Sequence, residues 1–244
     1  GDKVMGSGTA AFAEYALADH GRLFHIPEGM SFRDAATLPV ALTTMHNAVV
    51  TNGALQPGQS ALIQGASSGV GLMALQIARL KGANTVIGSS TDAHRRARLK
   101  EFGADLAVDS SDPGWVDQVL QATGGEGVDL IVDQVSGKVA NQNLAAAKIK
   151  GRIVNVGRLG GTHGDFNFDL HAARRINYIG VTFRTRSVEE IRDIFSAVRN
   201  DIWPAVEAGK LKLPIDKVLP FTDIARAFEH MEANRHLGKI VVTL

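Results

Sequence analysis

Between residues 60 and 183 six short apolar runs alternate with stretches of helical periodicity, and this alternation limits the fold more than any other feature of the sequence. The runs are ALIQ (61–64), TVIGS (85–89), LAVD (106–109), VDLIVDQV (128–135), RIVNVG (152–157) and NYIGVTF (177–183). Strands this apolar on both faces need cover on both, which a parallel sheet receives from its own crossover helices. The prediction is an α/β chain with a doubly wound parallel sheet. After the first run, Val70, Met73, Ala74, Ile77 and Ala78 recur near the helical period and mark one apolar face. A second helix is expected from Asp92 to Phe102, stopped by Gly103, and a third with Asp112 as N-cap and Pro113 at its first position.

Outside this block the pattern changes. Residues 1–29 read as short strands and turns, with GDKV, AFAEYAL and LFHIP in succession. Ser187-Val-Glu-Glu190 is a capping box opening a long helix that Pro204 should kink and Gly209 should end. A last helix from Thr222 leads to the strand KIVVT (239–243). The expected division is a dinucleotide-binding domain, 42–183, between two pieces of a smaller domain, 1–41 and 184–244.

Lys and Arg number 26 against 25 Asp and Glu, a balance with no pull toward nucleic acid or a membrane surface. No run approaches the ~18 apolar residues of a membrane span. The absence of cysteine removes disulfides and thiolate-bound metals and is compatible with the cytoplasm, the expected location. The opening Gly1-Asp2-Lys3-Val4 reads like the middle of a longer protein, so an N-terminal part is expected to be missing. The eight histidines show no paired ligand spacing and are read as surface or structural residues.

GASSGVG (65–71) fits two ways of holding a dinucleotide. As G-x-x-x-G-x-G it would belong with enzymes that use a Tyr-x-x-x-Lys proton donor. Only Tyr15 and Tyr178 exist, followed four residues later by Asp19 and Thr182, so that reading fails. In the other register, residues 66–71 follow a strand and open a helix as a Rossmann phosphate turn does, with Ala66 and Ser68 at the first two glycine positions and Gly71 at the third. Small residues in a tight turn also suit plain packing. An apolar strand before the turn and a helix N-terminus after it favour a pyrophosphate. The second strand ends in Gly88-Ser89-Ser90-Thr91, with no acid to bind a ribose diol or repel a 2′-phosphate.

With LPVALTTMHNAV (38–49), LQPGQSALIQGASSGVGLMALQIARLKGA (55–83), EFGAD (101–105), TGGEGVDLIVDQV (123–135), GRIVNVG (151–157) and HLGKIVV (236–242) in this order, the whole chain resembles the medium-chain dehydrogenase/reductase superfamily. Within it the chain is similar to the zinc-independent, zeta-crystallin-like quinone oxidoreductases. GVTFRTRS through WPAVEAGKL is similar to the branch that includes the p53-inducible quinone oxidoreductase.

The resemblance implies a Rossmann domain plus the remnant of a GroES-like β domain whose first half is absent. It implies no zinc: MGSGTA runs straight into AFAEYA where zinc members insert a cysteine lobe, and Val40 stands where they carry a catalytic cysteine. It places Thr44 near the nicotinamide, Ser67, Ser68, Gly69 and Val70 at the pyrophosphate, and Val156, Gly157 and Arg158 along the nicotinamide, with Phe183, Arg184 and Thr185 beside them. Gln134 and Asn234 are further cofactor candidates, and Ser110 replaces a tyrosine that many relatives set against the adenine ribose. Arg95 falls where relatives carry a phosphate-binding lysine, so with Ser90 and Thr91 it points to NADPH.

The activity implied is hydride transfer to a small quinone or enone in a homodimer paired through the edge strand 177–183, with no catalytic residue assigned. Two alternatives stand beside it: an enoyl reductase of a polyketide-type system, and a non-catalytic NADPH-binding protein of crystallin or RNA-binding type. The near-zero charge weakens the RNA version.

Overall fold

All six apolar runs enter one parallel sheet in the computed structural model, which describes residues 1–244. The chain folds as two units, Gly1–Thr44 with Phe183–Leu244, and Met45–Thr182. In the first, β1 (Val4–Gly6) pairs antiparallel with β2 (Leu23–His25). AFAEYAL, expected as a strand, has no regular structure, and Tyr15 is 91% exposed. The alternating side chains are there, but no neighbouring backbone supplies a ladder, and a strand does not persist unpaired. α1 (Phe32–Thr37) starts at Ser31, whose Oγ accepts the Asp34 N–H, and is followed by α2 (Pro39–His46).

The second unit holds β3 (Ser60–Gln64), β4 (Thr85–Ser89), β5 (Leu106–Val108), β6 (Val128–Asp133), β7 (Ala147–Asn155) and β8 (Asn177–Gly180). Their order is β5-β4-β3-β6-β7-β8, every neighbouring pair parallel, which is the Rossmann arrangement with its switch point between β3 and β6. β6 stops at Asp133 rather than Val135, because the Val135 and Ser136 N–H groups turn back onto the Asp133 carboxylate at 2.8 and 2.9 Å. β8 stops at Gly180 rather than Phe183, because its partner β7 ends opposite it at Asn155.

The helices of this unit are α3 (Gly69–Leu80), α4 (Ala93–Ala97), α5 (Trp115–Ala122), α6 (Ala140–Ala146) and α7 (Phe168–Arg174). α3 is buried on more than the expected face: Leu72 and Leu75 are covered as well as Met73 and Ile77, while Val70 stays partly exposed. The reason is that α3 lies on β3 and β4 and is covered in turn by the 3-10 turn Leu99–Phe102 and the π-helical segment Asn47–Asn52.

The helix expected over 92–102 is broken at Arg98, beyond which a 3-10 turn carries the buried Leu99; Gly103, at φ +102°, ends it as predicted. α5 starts at the fully buried Trp115, two residues after Pro113. Asp112 caps the preceding turn, its Oδ1 accepting the Gly114 N–H at 2.9 Å, and not the helix. Leu62, Ile87, Ile131 and Ile153 form one sheet face and pack with Trp115, Val119, Leu144 and Ile176.

The chain then returns to the first unit. α8 (Val188–Asp201) carries the expected capping box, with Ser187 N–H donating to Glu190 Oε2 at 2.7 Å and Glu190 N–H to Ser187 Oγ at 3.2 Å. Pro204 ends α8 instead of kinking it: the missing N–H is tolerated only in a first turn, and a separate α9 (Trp203–Glu207) begins there. Phe24 stacks between Phe195 and Trp203, with ring centroids 4.8 Å from each. β9 (Ile215–Pro220), α10 (Ile224–Glu232) and β10 (Lys239–Thr243) complete the unit, β10 parallel to β9; a 3-10 turn, Phe221–Asp223, occupies the expected start of α10. No helix is long and apolar enough to cross a membrane.

Candidate functional site

β3 leads into a turn whose first residue, Gly65, has φ +69°, and α3 begins after Ser68. Ser68 Oγ accepts the Gly71 N–H at 3.0 Å, the N-cap bond of the helix. A Cβ on Gly71 would stand 2.6 Å from the Gly65 carbonyl oxygen and 2.7 Å from Ala66 Cα, so the third fingerprint position must be glycine for helix and turn to meet. The N–H groups of Gly69 and Val70 belong to the first turn, where no intrahelical acceptor exists. Together with the helix dipole they form a cradle for an anion at the switch point of the sheet.

Gln134, 3% exposed, braces the turn from β6. Its Nε2 donates to the Gln64 carbonyl at 3.1 Å, and its Oε1 accepts the Ser68 hydroxyl at 2.9 Å. Both ends of the amide are therefore engaged with the turn. A Cβ on Gly157 would come within 2.7 Å of the Gln134 carbonyl oxygen, which explains the glycine beyond β7.

At the end of β4 the Ser90 hydroxyl donates to Ser67 Oγ at 3.0 Å, joining two of the expected cofactor positions. Arg96 Nη1 donates to the Ser90 carbonyl at 2.8 Å and to Asp109 Oδ2 at 3.0 Å. Arg95 lies alongside with its side chain 13% exposed and its Nε 3.7 Å from Asp92 Oδ1. Asp92 itself caps α4, accepting the Arg95 N–H at 2.7 Å. Thr91 is exposed and Ser110 half-buried. Next to Ser110, the hydroxyl and N–H of Ser111, and then Arg96, hold the Asp109 carboxyl below its usual range against the cost of burial.

At the ends of β6 and β7, the Val156 and Gly157 N–H groups donate to the Asp133 carbonyl at 2.7 and 3.2 Å, and the exposed Arg158 donates from Nη1 to the Val156 carbonyl at 3.3 Å. Sequence reasoning missed the neighbouring cavity of about 340 Å³, whose polar lining includes Ser136, Asn155, Arg158, Thr162, His163 and Tyr178. Ser136 takes φ +57° and ψ −152°, a region otherwise kept for glycine. Its hydroxyl donates to the Gly157 carbonyl at 2.6 Å and accepts from Asn155 Nδ2. Burial, followed by the charge of Asp133, raises the Tyr178 phenol above its usual value.

Also missed was a polar layer over the core. Gln64, Ser89, Asp133 and Asn155 are the last residues of β3, β4, β6 and β7. The signal was present as a polar letter at or near the end of each of these four apolar runs. Thr44, half-buried, lies in α2 in the first unit; Phe183, Arg184 and Thr185 precede α8; and Asn234, at φ +49°, is a helix-ending residue after α10. No three His, Asp or Glu side chains converge on a point that could hold a metal.

A sheet of this order with such a turn at its switch point is a Rossmann-type dinucleotide-binding domain. The profile of the zinc-binding dehydrogenase family matches residues 69–199, and the chain belongs to that family of medium-chain dehydrogenases/reductases. Quinone oxidoreductase of Homo sapiens is 28% identical over 247 residues, which span 100% of this chain and 73% of that protein. Erythronolide synthase EryA2 of Saccharopolyspora erythraea is 30% identical over 250 residues, 100% of this chain and 6% of the synthase. A solved NAD-dependent alcohol dehydrogenase is 31% identical with a TM-score of 0.84, covering 96% of this chain and 65% of that one.

Proposed function

We propose that the chain binds NADPH and serves the reduction of small quinones or conjugated enones without zinc. The observation that carries this reading is the turn at residues 65–71, where Gly71 lets α3 press onto Gly65 and leaves the Gly69 and Val70 N–H groups open at the switch point. Those two groups would hold the pyrophosphate, with the Ser67 hydroxyl beside them and Ser68 and Gln134 fixing the backbone that presents them. Ser90, Thr91 and Arg95 would meet the 2′-phosphate, since no acid ends β4 and Asp92 is turned to its own helix. Val156, Gly157 and Arg158 would line the nicotinamide end. Thr44, Phe183, Arg184, Thr185 and Asn234 are assigned to the cofactor through the resemblance, and Ser110 leaves the adenine ribose without the tyrosine of many relatives. When bound, the dinucleotide supplies the hydride; a quinone or enone needs only a donor or water at the developing oxyanion. The zinc-free reading rests on Val40, which stands where zinc members carry a catalytic cysteine, and on MGSGTA running straight into AFAEYA where they insert a cysteine lobe.

The likeness to erythronolide synthase over the whole chain favours one second reading, reduction of an enoyl thioester. NADPH oxidation followed with a benzoquinone, a conjugated enone and a crotonyl thioester, beside NADH, tests both. Turnover of the quinone or enone supports the first reading, turnover of the thioester alone supports the second, and tight NADPH binding without turnover overturns both. The exposed edge strand β8 further suggests pairing with a second copy, which light scattering in solution would detect.

A further inference from the structure

The buried polar layer contains a chain of side chains that share one hydrogen-bonding direction. Asp133, Asn143, Gln64 and Ser89 are each 0% exposed. Asn143 Nδ2 donates to Asp133 Oδ2 at 3.0 Å, Gln64 Nε2 to Asn143 Oδ1 at 2.8 Å, and the Ser89 hydroxyl to Gln64 Oε1 at 2.6 Å. Ser89 Oγ then accepts the N–H of Gly65, the first residue of the phosphate turn, at 3.0 Å. The other Asp133 oxygen accepts the Val135 and Ser136 N–H groups.

A carboxylate only accepts, so the amide of Asn143 must turn its nitrogen toward Asp133 and its oxygen toward Gln64. Gln64 must then offer its nitrogen to Asn143 and its oxygen to Ser89. That orients the Ser89 proton away from Gly65 and leaves a lone pair for the Gly65 N–H. One charged group on β6 thus decides the sense of every bond as far as the turn after β3.

We propose that Asp133, Asn143, Gln64 and Ser89 are positioning residues that set the phosphate turn through this directional relay, without touching the dinucleotide. The proposal rests on the reading of residues 65–71 as a pyrophosphate site. A neutral amide at position 133 keeps the shape but still must accept from Val135 and Ser136, so it offers N–H to position 143 and reverses both amides. Gln64 then presents its nitrogen to Ser89, and the serine proton loses its acceptor. A carboxylate at position 143 with Asp133 in place sets two acceptors face to face. Exchanging the two, an amide at 133 and a carboxylate at 143, restores the original direction from Gln64 onward.

The experiment compares Asp133→Asn, Asn143→Asp, the double exchange D133N/N143D, and Ser89→Ala, which removes the last link without changing charge. Two readouts are taken: hydrogen exchange of the Gly65 amide in the free protein, and affinity for NADPH beside adenosine 2′-monophosphate, which lacks the pyrophosphate. Asp133→Asn and Ser89→Ala should each speed Gly65 exchange and weaken NADPH about tenfold, the scale of one buried hydrogen bond, with adenosine 2′-monophosphate within about twofold. The double exchange should return both readouts toward the parent.

If D133N and S89A leave Gly65 exchange and NADPH affinity unchanged, the relay is wrong. It is equally wrong if the double exchange is no better than D133N alone, or if both ligands weaken together. If the parent chain binds neither ligand, the pyrophosphate reading falls, and the pattern of Gly65 exchange across the four variants still supports or overturns the relay. Should N143D fail to fold, D133N against S89A and the double exchange decides the same point.

Discussion

Arg96 meets Asp109 at 3.0 Å and the Ser90 carbonyl at 2.8 Å, tying the loop after β4 to the loop after β5, while neighbouring Arg95 pairs with Asp92 through its Nε at 3.7 Å. The two arginines therefore predict different phenotypes. Arg95→Ala should weaken NADPH about tenfold to a hundredfold, as expected for a lost charge-assisted phosphate contact, and leave NADH affinity nearly unchanged. Arg96→Met should weaken both by the same modest factor, because it loosens Ser90 for either cofactor. Paired titrations with NADPH and NADH separate the two, and equal losses in Arg95→Ala would remove Arg95 from the 2′-phosphate.

Gly71→Ala places a methyl within 2.6 Å of the Gly65 carbonyl. Helix and turn must part, at a cost of about 1–3 kcal/mol, the range for overpacking a tight contact. Urea unfolding should show that loss, and NADPH affinity should fall with it because the Gly69 and Val70 N–H groups move with the helix.

Ser136 is strained but bonded, so its two small replacements should differ. Ser136→Ala keeps the strained backbone and loses the hydroxyl bonds to Gly157 and Asn155. Ser136→Gly loses the same bonds and relieves the strain, worth about 1–3 kcal/mol. The alanine variant should melt lower than the glycine variant; the reverse order would show that the backbone there is unstrained.

How much of this was legible in the sequence follows from where each signal lies. Strands β3 to β8 and the Ser187 capping box are local patterns, and they appear within a few residues of their expected places. AFAEYAL has the local pattern of a strand and lacks the partner, which no local pattern reveals. Asp112 and Pro113 are good starting residues, overruled because burying Trp115 fixes where α5 begins. The polar layer escaped for the same reason: Gln64 and Asn143 are 79 residues apart, and each looks like an ordinary polar residue until the sheet brings them together.

Lys239 gives a prediction with a pH signature. The residue lines an apolar groove with Phe221 and Phe228, and burial lowers its pKa from the usual 10.5. A lysine depressed in the fold contributes stability above its unfolded pKa and loses it as pH falls through the folded value, so at neutral pH the charged amine is a burden. Lys239→Met should raise the melting temperature at pH 7, and the gain should shrink as pH climbs toward 10.5. A gain that does not vary with pH would mean that packing, not charge, is responsible.

Gln64, Asp133 and Asn155 stand side by side in the sheet register, with Leu62, Ile131 and Ile153 two residues below them on the same face. They form a seam between two kinds of evolutionary freedom. Beneath it, a replacement must fit the packed core; above it, loops can change length and chemistry without disturbing that core. Segments exchanged between relatives to alter ligand choice should be cut on the loop side of this seam, since a crossover one residue deeper would graft half of a hydrogen-bonded layer onto a partner that lacks the other half.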